Sequence, residues 1–192
     1  MPAAKRISKE AIIDAAEAVL RTGGFEAINA RSVAKALGCS TQPIYLTFRN
    51  MEELKSALTQ RAIEQHTRRV RASLRAHEGC DSRYSSYGMG FVQFAAQEKQ
   101  LFRWLYLEDN QPGRHQEDVL EPEIIRTVMD EFGYDEVTAR AFHRDMTYYS
   151  YGLAILANTG HLALTETELR GAFRREFRAP VSYTHLRAHE TV

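Results

Sequence analysis

The chain is poor in the residues that would staple or interrupt it. Two cysteines, Cys39 and Cys80, are too few for a disulfide framework, and neither has a partner at zinc-ligand spacing among seven scattered histidines. Proline occurs only five times, which leaves long stretches free to be helical. No apolar run approaches the roughly 18 residues of a membrane span, and no charged-then-apolar leader opens the chain, so a cytoplasmic protein without membrane partners is expected. Phosphate loops, metal constellations and nucleophile motifs are missing as well. No catalytic residue, metal or cofactor is therefore expected, and an enzyme is not.

Net charge is also absent, but only on average. The first 75 residues carry 13 Lys and Arg against 7 Asp and Glu, whereas the remainder carries 12 against 18. A basic module precedes an acidic one, which suits an N-terminal part that meets phosphates.

What the chain does have is helical punctuation. Ser8 caps a first helix whose Ile12, Ala15, Ala16 and Val19 share a stripe, and Gly23 and Gly24 end it near Thr22. Asn29 caps a second, two-turn helix carrying Val33, Ala34 and Leu37, closed by Gly38. Ser40 is the cap expected for a third, with Pro43 in its first turn and Ile44 and Phe48 on its core side. Asn50 and Glu53 read as a capping pair opening a long fourth helix from Met51 to about Leu74. Beyond it the pattern stays helical, broken at Gly79, Gln111-Pro112-Gly113, Gly133 and Asn158-Thr159-Gly160, with Pro122 in one first turn and Thr165 with Glu168 as a capping box. Phe142, Met146, Tyr149, Leu153 and Leu156 form a stripe expected to pack along another helix, which makes this the candidate dimer helix.

The run VAKALGCSTQPIYLTFRNMEEL, Val33 to Leu54, together with Gly24-Phe25 upstream, resembles the DNA-binding signature of the tetracycline-repressor (TetR) family. The likeness covers roughly residues 8–60, combining helix lengths, a glycine turn and the Tyr45-x-x-Phe48 pair. It implies an all-α fold: a three-helix DNA-binding head with a helix-turn-helix over residues 1–54, then a helical ligand-binding and dimerisation domain over 55–180. It further implies a homodimeric repressor released from a palindromic, double-stranded DNA operator by a small-molecule effector. Carried over position by position, Thr41, Gln42, Tyr45, Leu46 and Thr47 fall on the recognition helix, Arg31 and Ser32 near the start of the second helix, and Arg49 supplies a nearby cation. Glutamine can pair bidentately with adenine, and hydroxyls and arginine reach phosphate. Leu46 and Met51 depart from the residues common in the family, where a lysine at the start of the fourth helix would meet a phosphate. Those departures leave a helical interaction or ligand-sequestering module, without operator binding, as the other class.

The acidic part holds a dense aromatic set. Tyr87, Phe91, Phe94, Phe102, Trp104, Tyr106, Phe142 and Tyr148 are the expected lining of a pocket for an apolar or aromatic effector, with Tyr84, Tyr149 and Tyr151 nearby in sequence. Residues 181–192 show no clear apolar period and resemble translated adapter sequence, so they are set apart as a tail.

Overall fold

The computed structural model describes residues 7–75, 82–107 and 120–188, and side chains as far as Phe177. The expected breaks at Gly79 and at residues 111–113, and Cys80, lie outside the described residues. Helices account for nearly all of the described chain, and no strand occurs among those residues. Compactness divides the chain into two units, Met1–Gln65 with Glu98–His115, and His66–Gln97 with Gln116–Val192. The position expected as a boundary, between residues 54 and 55, lies within a continuous helix, and residues 98–107 group with the N-terminal helices.

In the first unit, α1 spans Lys9–Gly23 and is capped as its sequence implies: the Ser8 side chain accepts from the Ala11 amide at 3.1 Å. Ile12, Ala16 and Leu20 recur every four residues, and all three are completely buried. Gly24 ends the helix with φ 73°, its amide donating to Leu20 O, and a 3₁₀ turn, Phe25–Ala27, follows. Helix α2, Ala30–Leu37, begins with a full capping box in which Asn29 Oδ1 accepts from the amides of Arg31 and Ser32, and Ser32 Oγ accepts from the Asn29 amide. It ends at Gly38, left-handed at φ 67°, a conformation that costs any other residue a clash of its Cβ.

Helix α3, Gln42–Thr47, departs from expectation at its start. Thr41, not Ser40, holds the cap position, and no side chain makes a cap hydrogen bond. The reason lies in Pro43: a hydroxyl on Ser40 would seek the amide three residues on, and proline has none. Ile44 and Phe48 are each 1% exposed and close the core of α1, α2 and α3 with Val33 and Leu54. Helix α4, Met51–Arg75, opens with Asn50 Oδ1 accepting from the Glu53 amide at 2.9 Å. The Glu53 carboxylate reaches back one residue further than in a standard box, accepting from the Arg49 amide at 2.8 Å.

Later in the chain, α6, Lys99–Phe102, and the π-helical turn Arg103–Leu107 return to this unit. There Trp104 is fully buried, donates to Thr59 Oγ1 at 2.9 Å and leans on the Phe25 ring. Arg61 pairs with Asp14 at 2.6 Å, and Glu17 receives both Gln65 and Arg21.

The second unit holds the end of α4 from His66, α5 (Arg83–Gln97), α7 (Glu121–Phe132), α8 (Glu136–Thr159) and α9 (Glu166–Ala188). Pro122 sits in the first turn of α7, and Gly133 and Gly160 end α7 and α8 in the left-handed region. The capping box at the start of α9 forms as well, Thr165 and Glu168 bonding reciprocally. Helix α5 packs on α7, α8 and α9. A β-carbon at Gly88 would stand 2.5 Å from the Phe173 ring, so α5 and α9 approach as closely as they do because position 88 has no side chain. At the far end, Asn158, 1% exposed, donates to Ala95 O at 2.9 Å.

The stripe expected along α8 splits. Phe142 and Met146 are buried within their own unit, while Leu156 is 44% exposed. The inward face runs Ala139, Phe142, Met146, Ser150, Ala154 and Asn158, mostly in steps of four, longer than the alternating steps of four and three in the expected stripe, so the C-terminal end of that stripe turns away from the inward face. The outward apolar face is instead Tyr148, Gly152, Ile155 and Leu156.

Candidate nucleic-acid interface and effector cavity

Helix α3 is six residues long and two-sided. Its inner side is Ile44, with Phe48 just past its end; its outer side carries Gln42, Tyr45 and Leu46, all exposed. Tyr45 keeps 55% of its surface in solvent, so its ring is not part of the core. Arg31 lies exposed in the first turn of α2, and Arg49 lies just beyond α3 with its side chain 90% exposed. Three of the eight expected contact residues, Gln42, Tyr45 and Leu46, follow one another at spacings of three and one on a single helical face, and Arg49 lies beyond Phe48, whose extended backbone ends the helix.

The other candidates have their hydroxyls partly committed. Ser32 Oγ donates to the carbonyls of Ala27 and Asn29 and accepts from the Asn29 amide, which makes it a cap residue. Thr47 Oγ1 donates to Pro43 O at 2.9 Å, and Thr41 is half-buried at the start of α3. Arg49 is tied to Glu53 by an exposed pair at 3.2 Å, an interaction weak enough for a phosphate to displace. The Arg49 amide and guanidinium together hold the Glu53 carboxyl below its ordinary range. Cys39, half-exposed in the turn before α3, is a free thiol.

Within the second unit, α5, α8 and α9 leave a cleft with about 330 Å³ of empty space, its solvent-open mouth included. Tyr84, Tyr87, Gly88 and Phe91 line it from α5; Met146, Thr147, Ser150 and Tyr151 from α8; and Phe173 from α9. No charged side chain is among them. Tyr84 is 3% exposed and its hydroxyl lies 2.8 Å from His143 Nδ1; burial pushes the phenol far up, so it stays protonated.

Of the expected pocket residues, Tyr87 and Phe91 reach this cleft. Phe102, Trp104 and Tyr106 belong to the first unit, where Trp104 is occupied with Thr59 and Phe102 with Tyr106. Phe94 lies tilted against His66 with Arg69 over its ring, and Phe142 sits among Tyr84, Phe132, Tyr134 and Phe177. Tyr148 is 68% exposed on the outer face of α8. Aromatic type alone cannot separate these fates, since ring burial stabilises any interior. Met146, Thr147, Ser150, Gly88 and Phe173 were not among the expected lining. The readable signal was a threonine and a serine, Thr147 and Ser150, next to Met146 along a helix whose inner face also carries His143 and Asn158. Among the described residues, no group of acidic, histidine or cysteine side chains could hold a metal, and no helix is long and apolar enough to cross a membrane.

Residues 12–58 match the signature described as bacterial regulatory proteins, tetR family. No protein of curated function matches the sequence. Among solved structures, a protein of unknown function from Rhodococcus sp. RHA1 superposes with a TM-score of 0.69 at 21% identity, over 92% of this chain and 96% of that one. A member of the TetR family from Streptomyces coelicolor A3 gives 0.55 at 21% identity, over 87% and 96%. The multidrug binding protein EbrR, complexed with malachite green, gives 0.54 at 18%, over 88% and 94%. At these identities the likeness is one of fold.

Proposed function

The chain belongs to the tetR family of bacterial regulatory proteins through its N-terminal helices, and from that premise we infer that it works as a homodimeric repressor released from a palindromic operator by a small-molecule effector. The observation that carries the DNA half is the outer face of α3, where Gln42, Tyr45 and Leu46 stand exposed while Ile44 and Phe48 anchor the helix from behind. Such a helix enters a major groove with its outer side against base edges, and Arg31 and Arg49 sit within the same basic region to grip phosphate.

Two copies place two recognition helices on half-sites about one helical turn of DNA apart, or somewhat more. The outward face of α8, with Tyr148, Gly152, Ile155 and Leu156, supports this helix as the surface where copies meet. Leu156→Glu would bury an unpaired charge there, and the variant is expected to sediment as a monomer. An intact dimer would move the interface elsewhere.

The cleft lined by Tyr87, Phe91, Tyr151 and Phe173 supports an apolar or aromatic effector. Such a ligand acts only by binding the released conformation more tightly than the DNA-bound one. Selection of bound sequences from a random duplex library, followed by a salt titration on the winner, tests the reading. A palindrome with steep salt dependence is expected. A folded dimer that enriches no sequence would overturn operator binding and favour an interaction or sequestering module.

A further inference from the structure

Leu46 is the most exposed large apolar side chain of the N-terminal helices, at 79%, and it stands on α3. Its position is not that of a stray surface leucine. It lies four residues after Gln42, so both project from one side of the helix, opposite Ile44 and Phe48, which are each 1% exposed. Tyr45 flanks it at 55% exposure, and the neighbouring hydroxyl of Thr47 is spent on Pro43 O. The face therefore offers Gln42 and the Tyr45 hydroxyl, each able to meet a polar group, and Leu46, which can read nothing polar.

The major groove presents a single apolar group, the C5-methyl of thymine. Against any other base edge a leucine strips water from donors and acceptors and returns no hydrogen bond, which costs free energy. Four residues of helix advance about 6 Å, and base pairs on B-DNA are spaced about 3.4 Å apart. On the operator-binding reading above, on which this rests, we propose that Leu46 is a specificity-determining residue that selects a thymine, through its methyl group, within about two base-pair steps of the base that Gln42 contacts. The leucine then sets part of the operator sequence, and its apolar character is the means.

The experiment uses the full chain and the operator recovered by selection. Each thymine is replaced in turn by deoxyuridine, which removes the methyl and leaves the hydrogen-bonding edge unchanged. One thymine per half-site should be methyl-dependent, its loss weakening binding about four-fold, the value for one buried methyl group. Leu46→Ala should bind the thymine operator more weakly and show no further loss with deoxyuridine. A thermal melt checks that this variant is folded, and the deoxyuridine series on the unaltered protein needs no variant at all. An operator indifferent to every thymine methyl, or a Leu46→Ala protein that keeps the full methyl effect, overturns the role of Leu46 alone. Failure to enrich any sequence overturns the operator reading itself, and Leu46's role with it.

Discussion

The two units use their aromatic residues in opposite ways. In the first, Phe48, Phe102 and Trp104 are all buried to within 1%, Phe25 and Tyr106 are half-buried, and Tyr45 on α3 faces out. In the second, Tyr84, Tyr87, Phe91, Tyr151 and Phe173 surround open space. Close packing makes the first unit a rigid platform, so its business must be conducted on its surface. In the second unit the cleft between α5, α8 and α9 is the candidate place for an apolar molecule. On the function proposed above, a regulator uses both an exposed helix face and a cleft, and here they fall in separate units.

The sharpest way to break this comparison is to hollow the platform. Phe48→Ala leaves a cavity behind α3 and should cost about 3–5 kcal/mol, measured by urea unfolding, with operator binding lost together with the fold of the N-terminal helices. A cost below about 1 kcal/mol would mean that the core collapses around the gap and is less rigid than its packing suggests.

Filling the cavity is the converse experiment. Gly88→Ala drives a methyl into the Phe173 ring, which must shift, and both residues line the cleft. The expected cost is about 1–3 kcal/mol, with uptake of the neutral fluorescent probe N-phenyl-1-naphthylamine reduced. Unchanged uptake would place the ligand space elsewhere.

On the reading edge, Gln42→Ala should weaken operator binding by about 1–3 kcal/mol while sparing random DNA, whereas Arg31→Ala should weaken both alike. Equal loss from both substitutions would remove Gln42 from base reading.

The smallest effect is electrostatic. Glu53, Asp135 and Glu168 each have their carboxyl held below its ordinary range, chiefly by a backbone amide that donates to it, from Arg49, Thr138 and Thr165 respectively. A folded-state value below the unfolded one contributes stability at neutral pH that is lost as pH falls through the folded value. The melting temperature should therefore decline modestly below the ordinary carboxylate range, and Glu53→Gln should flatten part of that decline. A melting temperature that rises on acidification would show that these caps contribute little.

Much of the first unit was legible before any coordinates. Ser8, Asn29, Gly38 and Asn50 act within a few residues of themselves, so their chemistry is written locally. Ser40 misled for the same reason, because the amide it would have capped belongs to a proline. The second unit was legible only as helices. Its aromatic residues carry no local instruction separating Phe91, which reaches the cleft, from Phe94 three residues on, which packs against His66.

Sequence by itself determined most helix ends of the N-terminal part, the start of α3 excepted, the sidedness of α3 and the basic character of that part, since capping, periodicity and charge are properties of neighbours along the chain. Tertiary structure alone decided which rings enclose space, which side of α8 stays exposed, and that residues 98–107 join the N-terminal core. Those outcomes depend on which distant side chains meet and how completely they fill the volume between helices, and no short window of residues contains that volume.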